Sequence, residues 1–208
     1  LRRLTGITCA LLAAWCLGPA AAQAAHVNVI ELDNQIISPV TQHYILDALQ
    51  RSEREGAAGL VLVLDTPGGL LESTRAIVKA IMNARVPVIV YVGPSGARAG
   101  SAGVFITLAA HVAAMAPSTN IGAAHPVLVG EGGGPVKKLI RRAKGREELV
   151  EEASRDPMSD KIINDTVAWI TTIAKARHRN HEWARRAVTE SVSVSEDVAV
   201  KEKIVDLV

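Results

Sequence analysis

The sequence has 208 residues, of which 49% are hydrophobic, 21% charged and only 3% aromatic, and its net charge is +2. That length fits one domain, or one with a small appendage, and a chain of this size hides roughly 70% of its unfolded surface. High apolar content with little net charge excludes extensive disorder, and 16 Gly with 2 Cys exclude a collagen-like chain and a disulfide framework.

Residues 1–24 read as a secretory signal peptide. Arg2 and Arg3 form a charged start, Leu11 to Leu17 is apolar, Gly18-Pro19 breaks any helix, and Ala22-Gln23-Ala24 has the small-x-small pattern of a cleavage site. The apolar run is short for a membrane span, and Trp15 directly before Cys16 argues against a lipoprotein. The expectation is an exported domain over residues 25–208, in the periplasm or on the extracytoplasmic face of the membrane. Cleavage after Ala24 removes Cys9 and Cys16, and with them any disulfide, Cys nucleophile or Cys-based metal site. It also takes Arg2 and Arg3 off the 23 basic residues, which balances the 21 acids. Global charge then gives no case for a nucleic-acid partner.

Along the mature chain, Val27 to Leu32 reads as a strand. Ser38-Pro39 starts a helix, with Ser as cap and Pro at the first helical position, running through Leu49 to a stop near Gly56. Gly59 to Asp65 is a near-continuous apolar run, as in a strand buried on both faces. Leu70 to Ala84 has helical spacing, Val86 to Val92 is a second buried strand, Ser101 to Ala110 a small-residue helix, and Val112 to Met115 a short strand. This alternation predicts an α/β fold with a mainly parallel sheet. After Pro126 the texture changes. Residues 130–157 form a charged insertion, with Lys137, Lys138, Arg141, Arg142, Lys144 and Arg146 followed by Glu147, Glu148, Glu151 and Glu152. It reads as a solvated insertion in preference to a lid, a membrane-surface patch or a partner-docking helix. A helix returns from Met158 to Arg177, a short one follows Asn180, Ser195 caps a last turn, and Ile204 to Val208 closes as a strand.

Three segments carry candidate chemistry. Asp65-Thr66-Pro67-Gly68-Gly69 lies at the end of a buried strand, where ligands of open α/β sheets collect, and its glycines expose N–H groups suited to an oxyanion. Gly96 to Gly103 also joins a buried strand to a helix, and Ser101 stands there among Gly and Ala, either as a helix cap or as a nucleophile with the Ala102 N–H beside it. The third segment, Ile121 to Pro126, brings His125, and Asp160-Lys161 follows later. A Ser nucleophile needs a proton acceptor, and His125 and Lys161 are the two candidates. Lys161 serves only as a neutral amine, which burial favours, and Met158, Ile162 and Ile163 around it put it on the buried edge of its helix. His125 is intrinsically better tuned near neutral pH. No His-Glu-x-x-His, EF-hand or Walker pattern occurs, so neither metal nor cofactor is expected, and the absence of Gly-x-Ser-x-Gly around Ser101 disfavours an α/β-hydrolase.

The run from Leu64 to Val127 (LDTPGGLLESTRAIVKAI…PVIVYVGPSGARAGSAGVFITLAAHVAAMAPSTNIGAAHPV) closely resembles the NfeD-like, ClpP-class membrane serine proteases, the stomatin-operon-partner proteases. That resemblance implies the ClpP/crotonase-type spiral of ββα units and a Ser–Lys dyad. Ser101 then matches the nucleophile, and Lys161 the base, because residues 161–180 (KIINDTVAWITTIAKARHRN) resemble the family helix that opens with the catalytic lysine and ends in Arg-x-Arg-Asn. Gly69, Gly68 and Ala102 match the oxyanion donors. The implied substrate is an apolar stretch of a stomatin-like membrane partner, and the implied assembly a homo-oligomer, dimer or larger. His125 follows Ser101 at a spacing close to that of the catalytic histidine in related Clp peptidases, so a Ser101–His125 pair oriented by Asp156 or Asp160 is the rival arrangement. Two further readings are a scaffold that binds a membrane partner without cutting it, and a CoA-thioester enzyme on the crotonase fold.

Overall fold

A computed structural model describes residues 25–126, 139–143, 146–150 and 157–208. The predicted leader, residues 1–24, lies outside the described residues, as does Asp156.

Strand β1 (Val27–Leu32) leads to helix α1 (Pro39–Glu55), strand β2 (Gly59–Leu64) to α2 (Leu71–Met82), and β3 (Val88–Val92), through a short β4 (Arg98–Gly100), to α3 (Ala102–Ala109). Then come β5 (Val112–Met115), β6 (Asn120–Gly122), the hairpin β7 (Leu139–Ala143) and β8 (Arg146–Val150), α4 (Pro157–Ala176), α5 (His181–Thr189), β9 (Ser193–Ser195) and α6 (Glu196–Lys201). The predicted start of α1 holds: the Thr41 N–H donates to Ser38 Oγ while the Ser38 N–H donates to Thr41 Oγ1, a reciprocal cap.

The large sheet has the order β1-β2-β3-β5, all parallel, with Leu62 opposite Val90 and Val90 opposite Ala113. Leu60, Leu62, Leu64, Val88, Val90 and Val92 are almost wholly buried, as continuous apolar runs in a parallel sheet require. The mainly parallel α/β expectation is met. Each of these strands runs on into a short extended stretch of a second layer before the next helix. Ile37 bridges Gly69, Thr66 bridges Ala99, β4 pairs with β6, and β6 with β9. This is the strand–strand–helix repeat, and it brings the ends of successive units side by side.

Helix α3 is buried at every position, which its apolar sequence on all faces dictates. Its last carbonyls are met by two guanidinium groups. Arg177 Nε donates to the Ala109 carbonyl at 2.8 Å, and Arg179 Nη1 to those of Leu108 and Ala110, both at 2.8 Å. Arg179, 5% exposed, also pairs with Asp206. Positive charge here complements the helix dipole as well as its unpaired acceptors.

His111 sits against this pair. Its Nδ1 accepts the Val88 N–H at 3.1 Å, and Nε2 lies 3.5 Å from Arg177 Nη2. Burial first, and then the charges of Arg177 and Arg179, hold the imidazole below its ordinary range. The folded state therefore prefers neutral His111. Its contribution is complete above about pH 6.5, where a free imidazole is uncharged, and is lost as pH falls through that range and the unfolded chain alone takes up the proton. Thermal midpoints of the wild type and His111→Asn should run parallel above that pH and converge or cross below it, the wild type falling faster; equal slopes throughout would remove this role.

One expectation needs correction. Ile204 to Val208 is not a strand: it meets β5 through one bridge, Ala114 with Leu207, because the Asp206 carboxylate takes the Ala113 N–H and Asp206 N donates back to the Ala113 carbonyl. A side chain thus occupies a ladder position, while Ile204 and Val205 turn into the core. The charged insertion contains an antiparallel hairpin, with Arg141 opposite Glu148 and Arg142 opposite Glu147.

Candidate active site around Ser101

Ser101 occupies the cap position of α3 with φ 48° and ψ −105°, a backbone conformation that side chains resist. Three contacts hold it there. Its N–H donates to the Gly122 carbonyl at 3.1 Å, its carbonyl accepts the Val104 N–H at 3.0 Å, and Gly100 before it packs on Pro67. Its hydroxyl makes no capping bond. The cap reading of Ser101 therefore fails: the side chain is half-buried, and among the described residues its hydroxyl has no hydrogen-bond partner.

The Thr66–Gly69 loop lies against this serine. A Cβ built on Gly68 would stand 2.7 Å from Ser101 Cβ and 3.2 Å from its Oγ, and Gly68 has φ 130°. Only glycine allows that approach. Thr66, fully buried, organises the loop: its hydroxyl donates to the Gln35 carbonyl at 2.6 Å and accepts the Gly68 N–H at 3.1 Å. The Gly68 amide is thereby occupied. Gly69 differs. In its bridge with Ile37, the Gly68 carbonyl and the Leu70 N–H face Ile37, both at 2.8 Å, so the intervening Gly69 N–H faces the other way, towards the strand that runs into Ser101. Among the described residues neither the Gly69 nor the Ala102 N–H has an acceptor; the latter is one of the free amides of a helix first turn.

Both candidate bases lie outside this nest of main chain. His125 is half-buried and directs Nδ1 at the Val188 carbonyl, 2.8 Å away. A carbonyl only accepts, so Nδ1 carries a proton and Nε2 is the ring nitrogen left without a partner among the described residues. The orienting partner is thus a carbonyl of α5 and not Asp160, which is exposed at the start of α4. Lys161 also lies in the first turns of α4 and is exposed, so its expected place on the buried edge is not observed. That edge belongs to Thr166, Ile170, Ile173 and Ala174 further along. No hydrogen bond joins Ser101 to either base. Helices α3 and α4 are in contact further along: Phe105 stacks on Trp169, and the Arg177 guanidinium just past α4 reaches the Ala109 carbonyl.

Among the described residues no group of three or more His, Cys, Asp or Glu could hold a metal, and no helix is long and apolar enough to cross a membrane. A groove of about 500 Å³ lies elsewhere, between the end of β1 and α1, lined by Glu31, Asp33, Val40 and Tyr44. It reaches the Thr66 loop through Gln35, whose carbonyl accepts the Thr66 hydroxyl, and none of the candidate catalytic residues lines it.

The sequence model of the NfeD1b N-terminal domain matches residues 26–167. The chain belongs to the NfeD1b family. A curated relative, the membrane-bound protease PH1510 of Pyrococcus horikoshii, is 32% identical over 186 residues, covering 88% of this chain. The chain spans 37% of that relative's length. Among solved structures, a serine-to-alanine mutant of the 1510-N membrane-bound stomatin-specific protease superposes with a TM-score of 0.71 at 29% identity, covering 89% of this chain and 80% of the other. A lysine-to-alanine mutant of the same protease, in complex with a substrate peptide, gives 0.71 at 30% identity, with 89% and 76% covered. The NfeD1b chain thus shares its fold with a protease studied through a serine and a lysine substitution.

The sequence did not single out Thr66 as the organiser of the glycine loop, or Gly122 as the tether of the Ser101 amide. Each has a signal in hindsight: a buried-strand terminus followed by Pro-Gly-Gly needs an internal ligand for its turned amides, and Gly122, with φ 150°, would drive a Cβ to 2.3 Å from the Val192 carbonyl.

Proposed function

We propose that this NfeD1b domain is a serine endopeptidase that cuts an apolar stretch of a membrane-associated, stomatin-like partner with a Ser101–Lys161 dyad. The observation that carries the reading is Ser101 itself: a strained residue with an uncapped hydroxyl, pressed against Gly68 and flanked by the free amides of Gly69 and Ala102. Strain at a residue whose side chain bonds to nothing among the described residues, beside free amides, supports a chemical role for its hydroxyl.

In the cycle, Ser101 Oγ attacks the scissile carbonyl as its proton passes to the Lys161 amine. The negative oxygen of the tetrahedral intermediate is held by the Gly69 and Ala102 amides. Collapse breaks the C–N bond as Lys161 returns the proton to the leaving amine, and water then releases the acyl group and restores the hydroxyl. The exposed amine needs cover to act as a base, and substrate lying across the Gly69–Leu70 strand supplies it by excluding water. Residues 1–24 would be a removed export leader, the catalytic domain would occupy 25–208 beyond the cytoplasm and near the membrane, and the working form would be a homo-oligomer. The membrane-bound, stomatin-specific character of the relatives supports the location and the partner.

A second arrangement uses His125 as base, and its observation is specific: the Val188 carbonyl fixes Nδ1–H and frees Nε2. The two separate on single variants. With an apolar internally quenched peptide, Lys161→Ala is expected to lose at least about 1,000-fold in kcat and His125→Ala less than about tenfold. Loss confined to His125→Ala would transfer the base role, and failure of a fluorophosphonate to label Ser101 in the wild type would favour the non-cutting scaffold.

A further inference from the structure

Four side chains join the three helices that carry the proposed chemistry. Arg75 of α2 lies over the Trp169 ring of α4, its guanidinium carbon 4.3 Å from the centroid, and pairs with Asp165 of the same helix. Trp169 stacks in turn on Phe105 of α3, centroids 4.5 Å apart and planes 19° from parallel. The attachment points fall at regular places in the sequence. Phe105 lies one helical turn past Ser101, Asp165 one turn past Lys161, and Trp169 one turn beyond that. Helix α2 itself begins two residues after Gly69. Helices α3 and α4 are thus each gripped one turn from the group they contribute, and α2 within its second turn after the Gly69 loop.

We propose that Arg75 is a positioning residue for the dyad. A guanidinium that must satisfy a ring face and a carboxylate spaced i, i+4 on one helix fixes that helix in rotation and in height. Lys161 lies on the same stripe, one turn before Asp165, so the stack sets how the first turn of α4 is presented to the start of α3. The inference rests on the protease reading above. It goes beyond packing, because α4 already buries Ile170, Ile173 and Ala174 without help from Arg75, whose side chain is one-third exposed.

The test measures peptide cleavage and thermal melting on the same preparations, using an internally quenched peptide of Val, Leu and Ile. Arg75→Gln is expected to lower kcat about 100-fold with KM within about twofold, the signature of a misplaced catalytic group. Arg75→Lys, which keeps a cation over the ring and beside Asp165, should return kcat to within about fivefold of wild type. Wild-type kcat in Arg75→Gln, or a loss that Arg75→Lys does not restore, overturns the proposal. If Arg75→Gln fails to fold, Asp165→Asn at the exposed end of the pair is read instead, and an unchanged kcat there overturns it equally. Fluorophosphonate labelling of Ser101 separates the two levels: a labelled, active wild type with an indifferent Arg75→Gln sinks the stack alone, whereas a wild type neither labelled nor active sinks the protease reading and this inference with it.

Discussion

Ser101→Ala is expected to abolish turnover, by at least about 10,000-fold, while leaving the melting temperature unchanged. The hydroxyl bonds to nothing among the described residues, so its removal breaks no contact, and the main-chain bonds to Gly122 and Val104 survive. Ser101→Gly should be equally inactive but more stable than the wild type by about 1 kcal/mol, because glycine releases the strain at φ 48°, ψ −105° and that gain exceeds the entropy it restores to the unfolded chain. Denaturant melts of the three proteins should rank Gly above Ser and Ala. An alanine variant with full activity would remove the nucleophile assignment, and a glycine variant no more stable than the alanine one would deny the strain.

Gly69→Ala should damage both fold and activity. A Cβ there would stand 2.1 Å from the Ile37 carbonyl oxygen and 2.5 Å from its nitrogen, atoms of main chain that cannot swing aside. Relief requires parting the bridge, with loss of the Leu70-to-Ile37 and Ile37-to-Gly68 hydrogen bonds. The expected destabilisation is about 3 kcal/mol or more, and the molecules that remain folded should lose at least about 100-fold in kcat as the Gly69 amide leaves its place. Gly96→Ala is the control. Gly96, unlike Gly69, has a positive φ, +92°, but open space where the methyl group would go. It should cost only about 1 kcal/mol and leave kcat intact. A Gly69→Ala loss no larger than that of Gly96→Ala would show that the contact with Ile37 is relieved without parting the bridge.

The large sheet was legible in the sequence because β2 and β3 are apolar without interruption, a pattern forced on strands covered on both faces. Ser38-Pro39 likewise announced α1 through local chemistry. The second layer was not legible. Its strands β4, β6 and β9 are three residues long, too short for any period, and owe their extended form to neighbours from distant parts of the chain. The glycine loop and the serine stood out as candidates because small residues cluster there, yet what holds them was hidden. Thr66 acts through the Gln35 carbonyl, far back in the chain, and Arg179 through carbonyls of α3 many residues before it. Lys161 shows the opposite failure: apolar neighbours in sequence suggested burial, but in a helix the adjacent positions point elsewhere, and the face that meets α3 begins a turn later.

The docking of Asp206 and Leu207 on β5 has a directional consequence. It closes one margin of the four-stranded sheet with a segment that is itself pinned by Arg179. At the opposite margin, β1 has no strand partner beyond β2 among the described residues, and Val27 and Val29 are about half-exposed or more beside it. An extra strand therefore cannot enter beside β5 without displacing this pinned segment, and growth of the sheet on that side is denied by the fold itself.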